Sequence, residues 1–229
     1  MKIVIGHLYY DLMNLYGEIG NVMALKNALE SQSVDVEIKN ISIDNKISFD
    51  KFDFIYIGSG MESSKKIVLN HLNKYKDELI DYVNNDKFFM VTGDAISLFE
   101  KDNFGYFDYK VINKDKRFVD EVNFKCDLFD KDIYGFLNCH GTIQCDEGIF
   151  KNYGFNYKNF YAIQLIGPVL VRNPELLKYI TINLIKQKNQ DFEFKDFNLD
   201  LEDKAYNEFI SFKANKKKKK LLRLVKIKD

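Results

Sequence analysis

The hydrophobic pattern divides the first hundred residues into four repeats of a short apolar run followed by a helix-period segment. Lys2–His7 reads as a buried strand. After a polar, glycine-bearing loop over 8–20, Val22, Leu25 and Leu29 recur on one face of a helix from about Asn21 to Ser31, with Asn21 as its N-cap. Val34, Val36, Ile38 and Ile41 mark a second strand. Phe52–Ile57 is an apolar run that stops at Gly58-Ser59-Gly60. A long helix is expected from about Ser64 to Asn84, carrying Ile67, Val68, Leu72, Leu79, Ile80 and Val83. The run Phe88–Val91 ends at Thr92-Gly93, and a new helical period begins at once with Ala95, Ile96, Leu98 and Phe99.

Alternating strands and helices predict right-handed βαβ units around a mainly parallel sheet. The fold class is therefore α/β and three-layered. Ligand sites in such sheets lie beyond the carboxyl ends of the strands, where the loops 8–20, 58–63 and 92–94 fall. Between Gly105 and Gly148 the runs 107–112, 118–126 and 133–137 look β-like and predict an antiparallel extension of the sheet. Asn159–Leu165 is one more strand. Pro174–Lys188 is a helix with proline in its first turn and Leu176, Leu177, Ile180 and Leu184 inward, and Leu199–Lys220 is a last amphipathic helix containing Leu201, Ala205, Phe209 and Phe212. The expected division is 1–198 for the α/β domain and 199–229 for a C-terminal helix and basic tail.

Composition adds little until charge is located. Hydrophobic residues make up 46 % of the 229 positions and charged residues 30 %, which suits a globular core. The formal net charge is zero, but residues 213–229 hold eight Lys and one Arg against one Asp. A tail of +8 thus follows a body of −8. The Lys216–Lys220 run, with Leu221, Leu222 and Leu224, is expected to be a solvated helix end or a docking segment, with contact to a membrane surface as a further possibility. It lacks aromatics for base stacking, and no nucleic-acid partner is expected. Cys126, Cys139 and Cys145 have no CxxC spacing, and no export signal or membrane span is read, so the expectation is a cytoplasmic chain with reduced thiols. No metal site and no cofactor are expected.

The strand-turn-helix at 88–99 has the layout of a nucleophile elbow, with Thr92 where the nucleophile would stand. Several stretches then carry a resemblance in consistent order over about 1–190: DLMNLYGEIGNVMALKNAL (11–29), IYIGSG (55–60), FFMVTGD (88–94), GFLNCHG (135–141) and QLIGPVLVRNPEL (164–176). Together they resemble the class I glutamine amidotransferase domains, in the branch of cobyric acid synthase and the amidotransferase subunit of lipid II isoglutaminyl synthase. The resemblance implies an elbow cysteine that attacks the glutamine amide, a histidine base before Gly-Pro, oxyanion-binding amides on the glycine loop and elbow, and ammonia passed to a ligase partner. Here Thr92 stands at the cysteine position and Ile166 at the histidine position. A threonine hydroxyl needs an adjacent base, and Ile166 cannot be one. Loss of two members of one catalytic unit costs orders of magnitude. Cys139 and His140 are neighbours on a strand, point to opposite faces, and cannot form a substitute dyad.

The expectation is a catalytically degenerate amidotransferase-like subunit. It would be a scaffold or regulator in a heterodimer with a Mur-ligase-like partner in peptidoglycan precursor (lipid II) amidation. The alternative is an active glutamine amidotransferase with an unrecognised nucleophile. Gly58, Gly60 and Gly93 would keep an oxyanion-like frame for a glutamine-like small molecule. Arg117 falls at the family's substrate-contacting arginine, or is a surface arginine beside Lys114 and Lys116. Asn138 matches the family asparagine, or is a turn residue. Asp94 is expected to cap the elbow helix. His7 is expected to be a satisfied core histidine and His71 to lie on a polar helix face. Tyr9, Tyr10 and Tyr16 are expected to pack, or to line the site mouth.

Overall fold

A computed structural model describes residues 1–145 and 148–225, with side chains described as far as 213. Six strands form the main sheet: β1 (Lys2–Leu8), β2 (Asp35–Ile41), β3 (Phe54–Ile57), β4 (Phe88–Thr92), β7 (Gly154–Tyr157) and β8 (Phe160–Ile163). Their order is β2-β1-β3-β4-β8-β7, parallel throughout except for the antiparallel β7–β8 pair. The central strands are mostly apolar because both faces are covered. Alternation assigns those faces. Phe54, Tyr56, Phe88 and Met90 point to one core, under α1 (Ile19–Ser31), the short α4 (Val169–Arg172) and α5 (Pro174–Lys188). Ile55, Ile57, Phe89 and Val91 point to the other, under α2 (Glu62–Leu72) and α3 (Lys76–Asn84). The three layers follow from period-two side chains on a sheet with helices on both sides.

Five details depart from the sequence expectation. The long helix over 64–84 is two helices, parted by a 3-10 turn at Asn73–Tyr75. The ring of Tyr75 lies 5.3 Å from that of His71 and 6.3 Å from that of Phe49, so packing on the 49–51 turn sets the break. Helix α1 begins at Ile19 rather than Asn21, because Asn21 turns its amide into the protein. The elbow leads into a 3-10 helix, Gly93–Leu98, without a side-chain cap, so Asp94 is not an N-cap. The middle of the chain does not extend the main sheet. It is a separate two-stranded ribbon of β5 (Lys110–Phe124) and β6 (Ile133–Gln144), since β7 already occupies the free side of β8. Finally, α6 (Asp200–Val225) faces inward with Tyr206 and Phe209, while Leu201 is 76 % and Phe212 62 % exposed.

The ribbon is fixed to the body along β6. Ile166 donates its amide to the Phe136 carbonyl at 2.9 Å. The Asn173 side chain accepts from the Tyr134 amide at 2.7 Å and donates to the Tyr134 carbonyl at 2.8 Å. Helix α6 closes over the ribbon: Tyr134 stacks on Phe209 with centroids 3.5 Å apart, and Lys131 pairs with Asp203 at 2.6 Å. The Lys216–Lys220 side chains lie outside the described residues.

Candidate functional site

The carboxyl ends of β1, β3 and β4 meet the loop 9–18 at one place, as the strand order requires. Thr92 is the last residue of β4, and it is fully buried. Its backbone is ordinary extended chain, and the positive φ of +62° falls on Gly93. The turn therefore places its strain on a residue without a Cβ, and the side chain before it points into the protein.

Three oxygens form a closed triangle there. Thr92 Oγ1 lies 2.6 Å from Tyr56 Oη and 2.7 Å from Glu18 Oε2, and Tyr56 Oη lies 2.6 Å from the same Glu18 oxygen. Both hydroxyls donate to the Glu18 oxygen. Glu18 is wholly enclosed, and desolvation raises its pKa against the pull of the Tyr56 and Thr92 hydroxyls. Its other oxygen, Oε1, is buried without a hydrogen bond. Burial also pushes the Tyr56 phenol upward, so it stays neutral. Asn21 Nδ2 donates to Tyr56 Oη at 2.7 Å and completes the cluster. Thr92 thus spends its hydroxyl on a buried carboxyl and a buried phenol of the chain itself.

Two neighbouring amides are spent as well. Gly60 donates its amide to Asp94 Oδ1 at 3.3 Å, and Gly93 donates its amide to the Leu165 carbonyl at 3.0 Å. Asp94 also pairs with Lys65 at 3.5 Å, which binds Glu62 at 2.8 Å. No amide remains aimed at a free oxyanion position on these two residues. The glycines are nevertheless obligatory. A Cβ on Gly58 would meet Glu18 Cβ at 2.5 Å, one on Gly60 would meet the Met13 sulfur, and one on Gly93 would meet Ser59 Oγ and lie 2.8 Å from Ile166 Cγ2. The loop 9–18 is packed into the glycine turn as a plug.

Arg117 and Asn138 lie beside this plug and not in it. They line a small cavity of about 120 Å³ together with Asp94, Lys65, His140 and Gln164. Asn138 Nδ2 donates to Tyr16 Oη at 3.2 Å, while its Oδ1 is buried without a partner. Cys139 is buried and His140 exposed, on opposite faces of β6. His71 meets the Tyr9 hydroxyl at 3.0 Å. Tyr9 is fully buried and Tyr10 is exposed. His7 is not satisfied: both ring nitrogens are buried without a hydrogen bond, and burial holds its pKa down to about 4. No group of three His, Cys, Asp or Glu side chains able to hold a metal ion occurs among the described residues.

Thr92, Ile166, Gly58, Gly60 and Gly93 are brought together, and Arg117 and Asn138 stand next door. Sequence reasoning missed Glu18, Tyr56 and Asn21. Their only signals were an acidic residue after Tyr16-Gly17 and a tyrosine inside an otherwise aliphatic strand.

No family model matches the chain. It is 26 % identical over 244 residues to the lipid II isoglutaminyl synthase (glutamine-hydrolyzing) subunit GatD of Staphylococcus aureus, covering 95 % of this chain and 98 % of that protein. It is 24 % identical over 237 residues to the GatD subunit of Streptococcus pneumoniae, covering 92 % and 91 %. Among solved structures, PurLQS of Thermotoga maritima superposes with a TM-score of 0.54 at 13 % identity, over 82 % of this chain and 99 % of that one. The glutaminase domain of Trypanosoma brucei CTPS with bound acivicin superposes with a TM-score of 0.50 at 7 % identity, over 84 % and 96 %. The fold is that of these amidotransferase domains.

Proposed function

We propose that this chain, a class I glutamine amidotransferase-like domain, acts as a non-hydrolysing subunit in the amidation of the peptidoglycan precursor lipid II. It would be a scaffold or regulator for a Mur-ligase-like companion in the cytoplasm. The similarity to two GatD subunits over more than nine-tenths of the chain supports the pathway and the need for a companion. No described helix is long and apolar enough to cross a membrane.

The observation that carries the non-hydrolysing part is the state of Thr92. Its hydroxyl is sealed from solvent and bound to the buried Glu18 carboxyl and the Tyr56 phenol. Hydrolysis of an amide by this residue would need a base to take its proton, donors for the oxyanion, and room for the substrate. Ile166 stands where the base would be, the Gly60 and Gly93 amides are already bound, and Glu18 and Tyr56 occupy the space beside the hydroxyl. Ammonia for the ligase would then come from solution or another source.

The test is release of glutamate from glutamine by the purified full-length chain, alone and with its companion. We expect no turnover above background in either case. Turnover that disappears in Thr92→Ala would overturn the reading in favour of an active amidotransferase.

A further inference from the structure

Helix α6 is tied to the body by three side chains. Tyr206 donates to the Asp132 carbonyl at 2.7 Å, Phe209 stacks on Tyr134, and Lys213 donates to the Glu121 carbonyl at 2.6 Å. These contacts advance from the hairpin loop of the ribbon toward its middle. The helical backbone runs on to Val225. The ribbon next to the Lys213 contact is nevertheless uncovered: residues 112–120 are all exposed, so this part of β5 has no helix over it.

The sequence of this helix end is both strongly basic and amphipathic. Residues 216–228 hold seven Lys and one Arg and no acid. Lys216, Lys219, Lys220 and Arg223 recur at i, i+3, i+4 and i+7, which is one stripe of a helix. Leu221, Leu224 and Val225 recur at i, i+3 and i+4, with Leu222 three residues before Val225, and they form a separate stripe. Lys217 and Lys218 precede the apolar stripe by one turn. We propose that residues 216–228 hold this chain to the surface of an anionic lipid bilayer, the apolar stripe lying at the headgroup boundary and the basic stripe meeting the lipid phosphates.

Both halves of the pattern are needed to select this partner. A cluster of basic residues on an amphipathic helix gains from each cation held near anionic headgroups, and its aliphatic side chains gain from leaving water at the acyl boundary. A nucleic acid would reward the charge alone. It has no use for four aliphatic residues in this spacing, and residues 213–229 hold no aromatic ring for a base to stack on. Eight cations in so short a segment also exclude a crossing of the bilayer, which leaves the surface. The remaining chain carries a net negative charge, so without this segment an anionic surface would repel it. The proposal does not depend on the functional reading above.

The experiment is co-sedimentation of the full-length chain with vesicles of equal parts phosphatidylglycerol and phosphatidylcholine, and with vesicles of phosphatidylcholine alone, at low and high salt. We expect binding to the anionic vesicles only, weakened at high salt as the surface charge is screened. Lys219→Gln with Lys220→Gln should lower the partition coefficient about fivefold for each charge removed. Leu221→Ser with Leu224→Ser keeps every charge and should lower it about tenfold, because the apolar insertion is lost. Both double variants should melt at the wild-type temperature. A chain that ignores the anionic vesicles overturns the proposal, as does one that binds phosphatidylcholine equally well. So does binding that the serine changes leave untouched, which would mark a charge contact of the kind a random RNA oligonucleotide also satisfies. A melting temperature lowered in either variant would mean that the segment packs on the body, and would overturn the proposal as well.

Discussion

The oxygen triangle of Thr92, Tyr56 and Glu18 sets the terms at the scale of single residues. Thr92→Val keeps the shape and removes one hydroxyl, leaving buried partners unpaired. Such a loss costs about 1–3 kcal/mol, and chemical denaturation of the two proteins would measure it. Glu18 and His7 give opposite pH dependences. Burial raises the Glu18 pKa, so its contribution is complete below the ordinary carboxylate range and is lost as pH rises through the folded value. Glu18→Gln should abolish that decline in a stability–pH profile. His7 is the mirror case. Its folded pKa of about 4 against an ordinary 6.5 means that stability is complete above 6.5 and falls by about 3 kcal/mol as pH drops toward 4. His7→Phe should flatten the acid side, and should raise stability at neutral pH because two buried nitrogens without partners are removed. Urea titrations at a series of pH values would read both slopes.

Elements are tied together here by side chains that substitute for backbone. Asn173, just before α5, makes both hydrogen bonds of a strand neighbour to Tyr134 and so docks the ribbon to the helix layer. Asn173→Ala should cost about 2 kcal/mol, from a buried amide and carbonyl left unpaired. Hydrogen exchange should show the loss first in β6 and not in β4. The elbow after β4, packed against the glycine turn after β3, is the other junction. Gly93→Ala meets Ser59 and Ile166 and also a left-handed backbone, so it should destabilise by about 2 kcal/mol or more, seen as a lowered melting temperature. Sequence patterning found the βα units because period two and period 3.6 are local properties. It placed the ribbon wrongly because strand pairing is not local. β5 looks like a strand whichever partner it takes, and only β7 beside β8 excludes it from the main sheet. The same limit applies to Asn21 and Asp94. Both residue types fit a helix N-terminus by propensity, and both were drawn elsewhere by tertiary partners, Tyr56 in one case and the Gly60 amide in the other.

At the scale of the whole molecule, the strand order brings loops far apart in sequence to one rim, as in any doubly wound sheet. That rim is closed in this protein by the loop 9–18 and flanked by the ribbon carrying Arg117 and Asn138. The sequence by itself determined the class of fold, the order of the units, and the absence of a cysteine at Thr92 and a histidine at Ile166. These are facts of periodicity and identity that no folding step alters. Only the tertiary structure decided that Glu18, 74 positions from Thr92, is its hydrogen-bond partner, and that the Gly60 and Gly93 amides are already bound. The physical reason is that a buried hydrogen bond depends on which groups lose water together. That is set when strands and loops assemble, long after the local pattern has chosen what each segment becomes.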